Sequence, residues 1–383
     1  MPMSPAPRVV TAGLSPAQAH RAVANLQVFD TVWDTVNSRY YDPRFHGEDW
    51  RSAALIYGPK AAAATDDAAL YEAMNAMLGR LHDEHTGAST PLQARDFRTQ
   101  KSAMTGFRLL RINGVWAVDE VLPGSSAAAA GVKPGWIVLT RDGQQLGEPL
   151  QLPTLSGGEI VRWEFLDARD QPVALALTAS RVSTVLQQCR ALPGGALYLR
   201  FDEFDWSKMR WLSKQLKSHR DAPGVVIDLR HNPGGTLFAL DFMLGEFFDQ
   251  RFTFAIAIDR AGHQHSLRTL TFGSAHYPGR VAILVDHLSG SAAELFAGVM
   301  QEKHRAVIVG HRSAGAVLSA RFRTLPDGGV LEYSDRDLLT AQNRRLQGNG
   351  VVPDRTTPAP TLADLRAGRD PDVEAALQAI TQS

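Results

Sequence analysis

The second half of the chain alternates short apolar runs with segments of helical period, and this alternation constrains the fold more than any other feature. The apolar runs cover 197–201, 225–229, 281–285 and 306–309, and the helical segments cover 206–216, 237–248 and 292–300. Runs that are apolar at every position are typical of strands buried on both faces, as in a parallel sheet. Strands separated by helices predict a layered α/β domain with a largely parallel sheet.

Two other patterns precede this domain. Residues 15–40 and 66–81 place apolar side chains at helical spacing, which predicts a mostly helical N-terminal region. Further along, the period becomes two, and alternating runs flank Asn113-Gly114, a strong hairpin signal. The predicted organisation is a helical N-terminal region at 1–103, a small β-rich module at 104–182, an α/β core at 183–360 and a helical tail at 361–383.

Composition excludes several classes of function. The 383 residues carry 40 basic and 40 acidic side chains, so no net charge attracts nucleic acid or an anionic membrane. No run approaches the roughly 20 apolar residues of a membrane span. The single cysteine, Cys189, excludes an internal disulfide and a cysteine-based metal site. The start of the chain lacks the basic region and apolar run of a signal peptide.

Ser291 lies where the predicted strand 281–285 passes through a glycine turn into the predicted helix 292–300. In open α/β sheets, ligands bind at the carboxyl ends of the strands. Backbone amides at a helix start can also stabilise a developing oxyanion. A serine in this place is either a nucleophile or simply a helix N-cap, and this segment alone favours the cap.

A second polar turn follows the apolar run 225–229. It contains Arg230, Asn232 and the pair Gly234-Gly235. Glycines at the end of a strand let a backbone amide approach a substrate closely. The alternative is an ordinary turn, in which the same residue types are common.

Five short segments of the chain occur in a fixed order. They are Asp228-Leu229-Arg230-x-Asn232-x-Gly234-Gly235, Ser291-Ala292-Ala293-Glu294, Gly310-x-x-x-x-Gly315, Gly348-x-Gly350-Val351-x-Pro353-Asp354 and Gly368-Arg369-Asp370. In this order they resemble the tail-specific (carboxyl-terminal-processing) serine proteases, in particular the tricorn-like and retinoid-binding-protein-like members. The resemblance extends over nearly the whole chain. It implies a core of the ClpP/crotonase-like type, a peptidase without a cofactor, and a periplasmic or secreted location.

The β-rich module resembles a PDZ domain. Its most specific run is Pro123-Gly124-Ser125-x-Ala127-x-x-Ala130-Gly131-Val132-x-Pro134-Gly135. By this resemblance, Gly106 and Phe107 lie in the loop that binds a carboxylate. Such a module is expected to bind an apolar C-terminus or an extended peptide by adding a strand to its sheet edge.

The resemblance also implies roles around Ser291. Ser291 is the expected nucleophile, and the backbone amides of Ala292 and of Gly234 or Gly235 are the expected oxyanion hole. Arg230 either positions the substrate or is a conformational strut paired with an acid.

The predicted general base is a histidine. In the Ser-Lys members of the family a lysine follows the second glycine of the Gly-x-x-x-x-Gly segment, and here that position is Ala316. In the tricorn-like members the base is a histidine of the N-terminal region, and His85 occupies that position. A neutral imidazole suits this task. The weaker alternatives are His82, His287 and His311.

The predicted third catalytic residue is Gln347, at a position where the relatives carry a glutamate. A glutamine can accept a hydrogen bond from an imidazole, but it cannot stabilise an imidazolium by charge. The carboxylates that could take this role instead are Asp83, Glu84 and Glu332.

The sequence therefore predicts a serine endopeptidase that cleaves peptide or unfolded protein substrates, with no metal site and with its oligomeric state left open. Two alternatives remain. Ala316 and Gln347 motivate a catalytically impaired, PDZ-containing binding protein. The third possibility is a serine hydrolase or acyltransferase that acts through Ser291 on a specialised small or peptide substrate.

Overall fold

The computed structural model describes residue 5 and residues 13–150, 152–270 and 276–381 of the chain. Most of the N-terminal segment inspected for a signal peptide lies outside the described residues. No helix in the described ranges is long and apolar enough to cross a membrane.

The N-terminal region consists mainly of helices. Its elements are α1 (Pro16–Arg39), α2 (Trp50–Ala63), α3 (Asp67–Leu78), β1 (Gly87–Ser89), α4 (Pro91–Thr99) and β2 (Lys101–Met104), with 3₁₀ turns at Phe45–Gly47 and Gly79–Leu81. The first helix starts at a capping box, in which Ser15 accepts from the Gln18 amide and the Gln18 side chain accepts in return. Phe29 of α1, Trp50 of α2 and Met74 of α3 meet in one buried apolar cluster.

The middle module is a five-stranded antiparallel sheet. Its elements are β3 (Phe107–Ile112), β4 (Val115–Val121), α5 (Ser126–Ala129), β5 (Ile137–Arg141), β6 (Ile160–Leu166), β7 (Pro172–Thr178) and β8 (Ser180–Ser183). The strands of the sheet follow the order β3-β4-β5-β6-β7, so β3 forms one edge, and β8 pairs with β2 outside it. The β3–β4 hairpin turns at Asn113-Gly114, as predicted, and both turn residues have positive φ.

The C-terminal half contains a six-stranded sheet. The elements of this half of the chain, which include strands of a second sheet, are β9 (Gln187–Ala191), a 3₁₀ turn (Pro193–Gly195), β10 (Leu197–Phe201), α6 (Trp206–Ser218), β11 (Gly224–Asp228), α7 (Leu237–Gly245), β12 (Thr253–Asp259), β13 (Gln264–Arg268), β14 (Arg280–Val285), α8 (Ala292–Glu302), β15 (Val307–Gly310), β16 (Leu318–Thr324), β17 (Val330–Thr340), β18 (Arg355–Thr356), α9 (Leu362–Ala367) and α10 (Pro371–Thr381). In the six-stranded sheet the strands follow the order β18-β15-β14-β11-β10-β9, and every neighbouring pair is parallel except β10 with β9. Helices α6, α7 and α8 share one buried cluster with this sheet, while α10 covers its other face.

A second five-stranded sheet joins the N-terminal region to this core. Its long strand β17 pairs with β1, β12 and β16, and β13 pairs with β12. Leu331 and Tyr333 of β17 belong to the buried cluster of the N-terminal helices. Leu338, nearer the other end of the same strand, belongs to the cluster of the α/β core. One strand therefore contributes to two cores and fixes the loop after α3 relative to the core.

The predicted layered α/β core with a largely parallel sheet is confirmed, and so is the helical N-terminal region. The pattern analysis did not find the second sheet or helices α2 and α4. The predicted domain boundaries stay predictions.

Candidate active site

Ser291 occupies the turn between β14 and α8, and its backbone has a positive φ of 53° with ψ −116°. A residue other than glycine is costly in this region, and such backbone strain clusters at functional sites. The Ser291 amide donates to the carbonyl of Ala316 at 2.8 Å. The turn before it is held by Ser289, whose hydroxyl donates to the carbonyl of Leu229 at 2.8 Å. The structure therefore places Ser291 at the carboxyl end of β14, beside β11, on a turn that neighbouring segments hold in shape.

Gly234 packs directly against this turn. A Cβ atom at Gly234, where φ is +110°, would lie 2.6 Å from Ser291 Cβ and 2.8 Å from the Ala292 nitrogen. Such distances are far inside van der Waals contact, so only glycine fits. The chain needs this glycine because two backbones meet there, which distinguishes the segment from an ordinary turn.

The amides beside Ser291 differ in their partners. The Gly234 amide donates to Asn232 Oδ1 at 2.9 Å, and the Asn232 side chain in turn donates to the carbonyl of Phe201 at 2.8 Å. Within the described residues, the amides of Gly235 and Ala292 donate to no protein acceptor. Of the predicted oxyanion-hole donors, Gly235 and Ala292 are thus available, whereas Gly234 is already engaged.

Glu294 connects the Ser291 turn to the following segment, although the sequence analysis gave it no role. The side chain is fully buried in the first turn of α8. Its Oε1 accepts from the Ser313 hydroxyl at 2.5 Å and from the Gly315 amide at 2.7 Å. Its Oε2 accepts from the amides of Ala316 at 2.8 Å and Ser291 at 3.2 Å. Burial raises the pKa of Glu294, and these donors act against the increase.

Gln347 lies close to the position where the Ser-Lys relatives carry lysine. Its side-chain oxygen accepts from the Val317 amide at 2.6 Å, and Val317 follows Ala316. Gln347 therefore lies near the Ser291 turn, with the segment at Ala316 and Val317 between the two. The Gln347 side chain bonds to a backbone amide, so it supports the segment that adjoins Ser291.

His85 lies in a loop that is fixed to β17. Asp83 accepts from the His85 amide at 2.8 Å and from the Thr86 hydroxyl at 2.6 Å. That hydroxyl also accepts from the amide of Ser334 at 3.1 Å. These bonds hold the backbone on both sides of the imidazole.

The His85 ring itself is less constrained. Its Nδ1 atom is buried and, among the described residues, has no hydrogen-bond partner. Burial lowers the pKa of His85, against the opposite effect of Asp83 and Glu84. Among these residues no hydrogen bond joins His85 to Ser291 or Gln347. The structure thus gives an imidazole whose pKa is lowered by burial and which has no hydrogen bond to Ser291.

Glu332 is the alternative acid nearest to this loop in the sheet. Its partner across the β1–β17 pair is Gly87, two residues after His85. Burial and the charge of Asp83 raise the pKa of Glu332 to about 7. A carboxyl with this pKa exchanges its proton at neutral pH, unlike the ordinary surface glutamate.

Arg230 is engaged with acids beneath the site. It bonds to Asp228 at 2.6 Å, Asp370 at 2.7 Å and Asp372 at 3.0 Å. Burial alone would raise the pKa of Asp228, but the charge of Arg230 and its hydrogen bonds hold it at about 2. These contacts support the strut interpretation of Arg230 and leave a direct role in substrate binding without support.

Gly106 and Phe107 lie where the chain enters edge strand β3. A Cβ atom at Gly106, where φ is +99°, would collide with Ser125 at 1.9 Å. The Phe107 ring packs against Trp163 at 4.9 Å between ring centroids. The Phe107 side chain therefore belongs to the core of the module, while its backbone lies on the free edge of the sheet.

The other predicted candidates do not contact the serine. The structure shows no hydrogen bond from His82, His287 or His311 to Ser291 within its described ranges, and His82 and His287 are exposed. In these ranges there is also no group of three or more histidine, cysteine or acidic side chains arranged to hold a metal ion.

Two protein-family models match parts of this chain. Residues 195–357 match the model of peptidase family S41, and residues 24–79 match that of the tricorn protease C1 domain. The carboxyl-terminal-processing protease of Picosynechococcus sp. is 26% identical over 369 residues, covering 92% of this chain and 88% of that protein. The protease of the same name from Synechocystis sp. is 27% identical over 379 residues, covering 91% and 85%.

Solved structures share the fold. The photosystem II D1 C-terminal processing protease has a TM-score of 0.60 at 21% identity, covering 93% of this chain and 97% of its own. Mature CPAF has a TM-score of 0.66 at 12% identity, covering 94% and 97%. The tricorn protease has a TM-score of 0.58 at 15% identity, covering 94% of this chain and 37% of its own. The chain thus contains a region that matches peptidase family S41, and it is similar over most of its length to the carboxyl-terminal-processing serine proteases.

Proposed function

We propose that Ser291 is the nucleophile of an endopeptidase that cleaves peptides or unfolded proteins. The observation that carries this proposal is the strained, positive-φ backbone of Ser291 in contact with Gly234. A helix cap needs neither the strained φ nor the close glycine, because ordinary N-cap residues have extended φ and ψ. Strain held by neighbouring segments is typical of a nucleophilic serine at a strand-to-helix turn.

The proposed oxyanion hole consists of the amides of Gly235 and Ala292. Ala292 follows Ser291 in the chain, Gly235 follows the Gly234 that packs against Ser291, and both amides lack a protein acceptor in the described part of the chain. A carbonyl oxygen that becomes negatively charged during attack would accept from them. Amides that are fixed before the reaction stabilise this charge without the cost of reorganisation. Gly234 instead shapes the loop through its bond to Asn232.

The proposed general base is His85. Its lowered pKa keeps the imidazole neutral at neutral pH, which is the form that accepts a proton. Because the loop backbone is held but the ring is not bonded to Ser291, we propose that substrate binding turns the His85 side chain toward the serine. Catalytic hydrogen bonds often form only in the substrate complex.

The proposed reaction has two halves. The Ser291 oxygen attacks the peptide carbonyl carbon while its proton passes to His85, and the tetrahedral intermediate collapses when His85 protonates the leaving amine. Water then gives a proton to His85, attacks the acyl-enzyme carbonyl and releases Ser291 with its proton restored. Gln347 supports the segment at Val317, and Asp83 or Glu332 supplies the negative charge near the imidazolium.

The middle module is the proposed binding site for the substrate chain. Strand β3 is at the edge of its sheet, so its outer backbone groups can pair with an extended peptide. Gly106 precedes this strand at the position of the expected carboxylate loop. We therefore include a free apolar C-terminus among the features that this enzyme recognises.

The decisive experiment compares wild type with Ser291→Ala on an unfolded protein substrate. We expect cleavage to fall by at least about 10³-fold, because the residual groups cannot replace a nucleophile. Ser218→Ala, at the exposed end of α6, is the control and should cleave normally. A fluorophosphonate probe should label wild type at Ser291 only. Cleavage by Ser291→Ala would contradict the proposal, whereas an unlabelled and inactive wild type would favour a binding protein, which the missing His85–Ser291 bond also suggests.

A further inference from the structure

Two large aromatic side chains lie stacked on the surface of the core. The rings of Trp206 and Phe238 are 5.7 Å apart with planes inclined by 13°. Trp206 is 59% exposed and Phe238 is 49% exposed. Aromatic side chains of this size dominate the energetics of cores and interfaces. An exposed pair therefore marks a surface that binds something apolar.

This aromatic pair is tied to the loop that contacts Ser291. The Phe204 amide donates to the carbonyl of Gly234 at 2.7 Å, and the Thr236 amide donates to the carbonyl of Phe204 at 2.8 Å. Trp206 and Phe238 each follow one of these two segments by two residues. The rings are thus fixed relative to Gly234.

The helices that carry the rings also begin at fixed points. The Asp205 side chain caps α6 by accepting from the Lys208 amide at 2.6 Å. The Thr236 hydroxyl caps α7 by accepting from the Ala239 amide at 3.2 Å. Because each aromatic residue lies in the first turn of its helix, the stack has little freedom to move away from the loop.

The separation from the reaction centre suits a substrate subsite. Phe238 lies three positions after Gly235, which limits that stretch of chain to roughly 11 Å. An extended peptide advances by about 3.3 Å per residue, so the rings are within about four substrate residues of the bond that is cut.

We infer that Trp206 and Phe238 form an aromatic subsite that receives one large apolar side chain of an extended polypeptide near the cleavage point. The inference rests on the proposed function, because it takes Ser291 as the point of cleavage. The occupant is the substrate and not a second copy of this chain, since the stack is continuous with the loop at Gly234. The Asp205 carboxylate lies 3.7 Å from Lys208 Nζ, so its charge is partly neutralised and the surface favours an apolar side chain.

The test uses a set of blocked peptides, acetylated and amidated so that no free terminus binds the middle module. Each peptide places one leucine or phenylalanine at a different position around a common scissile bond, with serine at that position in the reference peptide. Hydrolysis by wild type, Trp206→Ala and Phe238→Ala gives kcat/KM for each peptide. Ile160→Ala, which removes a 62% exposed apolar side chain from β6, is the matched control.

We expect wild type to prefer an apolar residue at one position by about tenfold or more, as one apolar pocket contact allows. Both aromatic variants should lose this preference, because their kcat/KM for the apolar peptide should fall toward their value for the serine reference peptide. The Ile160→Ala variant should keep the preference. An unchanged preference in both aromatic variants would overturn the inference. So would their conversion from an oligomer to a monomer, which would identify the pair as an interface between copies.

The same peptides bind without being cleaved to a Ser291→Ala variant, and fluorescence anisotropy of a labelled peptide reports that binding. Adding Trp206→Ala to this variant should weaken binding of the apolar peptide by about tenfold and leave the serine peptide unchanged. A loss of this kind in a chain whose wild type never hydrolyses peptides would support the subsite while refuting the proposed function. Equal binding of both peptides before and after the change would refute the subsite alone.

Discussion

His231 Nε2 lies 3.7 Å from Asp119 Oδ2, so the loop that carries Gly234 touches strand β4 of the middle module. On its other side, His231 Nδ1 lies 3.5 Å from Asp286, the residue that follows β14. His231 has a left-handed backbone, and its amide donates to Asp286 at 3.1 Å. One side chain therefore connects the sheet of the middle module, the glycine loop and the start of the Ser291 turn.

The first prediction concerns this connection. Asp119→Asn removes the charge that faces His231, and we expect it to weaken the effect of the middle module on catalysis. In wild type, a peptide with a free apolar C-terminus should be cleaved faster than its amidated form. In the variant the ratio of the two kcat/KM values should fall by roughly twofold to fivefold, the effect of a charged contact worth up to about 1 kcal/mol.

The neighbouring ion pairs define the control for Asp119→Asn. Glu120 and Asp202 pair with Arg200 and Arg108 and remain intact in this variant, so the sheet keeps its place against the core. Glu164→Gln, on the exposed side of β6, changes a charge without facing the core and should leave the ratio unchanged. A ratio in Asp119→Asn equal to that of wild type would show that this contact does not couple the two parts.

The second prediction concerns Glu294, which accepts four hydrogen bonds beneath the Ser291 turn. Glu294→Gln replaces one acceptor by a donor that faces backbone amides. We expect the rate of fluorophosphonate labelling at Ser291 to fall by about tenfold or more, because a disrupted charged hydrogen bond costs about 1.5–3 kcal/mol. Glu302→Gln, at the last residue of the same helix, should label normally.

A structural role alone would give a different result in the Glu294→Gln experiment. If the side chain only stabilises the fold, the unfolding midpoint falls while the labelling rate of the still-folded protein is unchanged. Measuring both on the same sample separates a distorted turn from a weakened fold.

How far the sequence predicts this site depends on how local each contact is. The β3–β4 hairpin and the Ser291 turn follow from neighbouring residues, and the pattern located both. The strand β16 was missed although Leu318, Ala320 and Phe322 alternate with polar residues, and its pairing with β17 over the whole strand became visible only in the fold. The Gly234 amide is unavailable to a substrate because it donates a hydrogen bond to the Asn232 side chain. Such a partner is decided by loop geometry, which no residue spacing expresses.

One feature of Glu294 could have been noticed in the sequence. It is a charged residue inside an apolar helix segment, and a buried charge requires partners. Those partners are Ser313, Gly315 and Ala316, and they come from a different part of the chain. The sequence therefore indicates that Glu294 needs partners, but only the fold shows which residues they are.

The third prediction concerns the pH dependence of stability. The folded-state pKa of Glu332 is about 7, above its ordinary value of 4.5. The folded chain thus holds this proton more tightly than the unfolded chain, and the resulting stability is lost as pH rises from 4.5 to about 7. The loss is at most about 1.4 kcal/mol per pH unit. Glu332→Gln is neutral at every pH, so it should match wild type in acid and exceed its stability above neutral pH.

Urea unfolding of wild type and Glu332→Gln across this range measures the difference directly. Because other carboxyl groups titrate in both proteins, only the difference between their free energies of unfolding is informative. Glu72→Gln, at an exposed position of α3, is the matched control substitution. A parallel pair of stability curves for wild type and Glu332→Gln would show that Glu332 has an ordinary pKa.

The fourth prediction concerns His85 as the base. His85→Ala should lower kcat/KM by about 10²–10⁴-fold, the usual contribution of a positioned acid–base group. His82→Ala removes an exposed histidine three residues earlier and should cleave normally. Since burial lowers the pKa of His85, wild-type kcat/KM should stay constant as pH falls through 6.5 and should decline only below it, when the imidazole becomes protonated. That acidic decline should be absent from the residual activity of His85→Ala, and its persistence there would assign the titrating group to another residue.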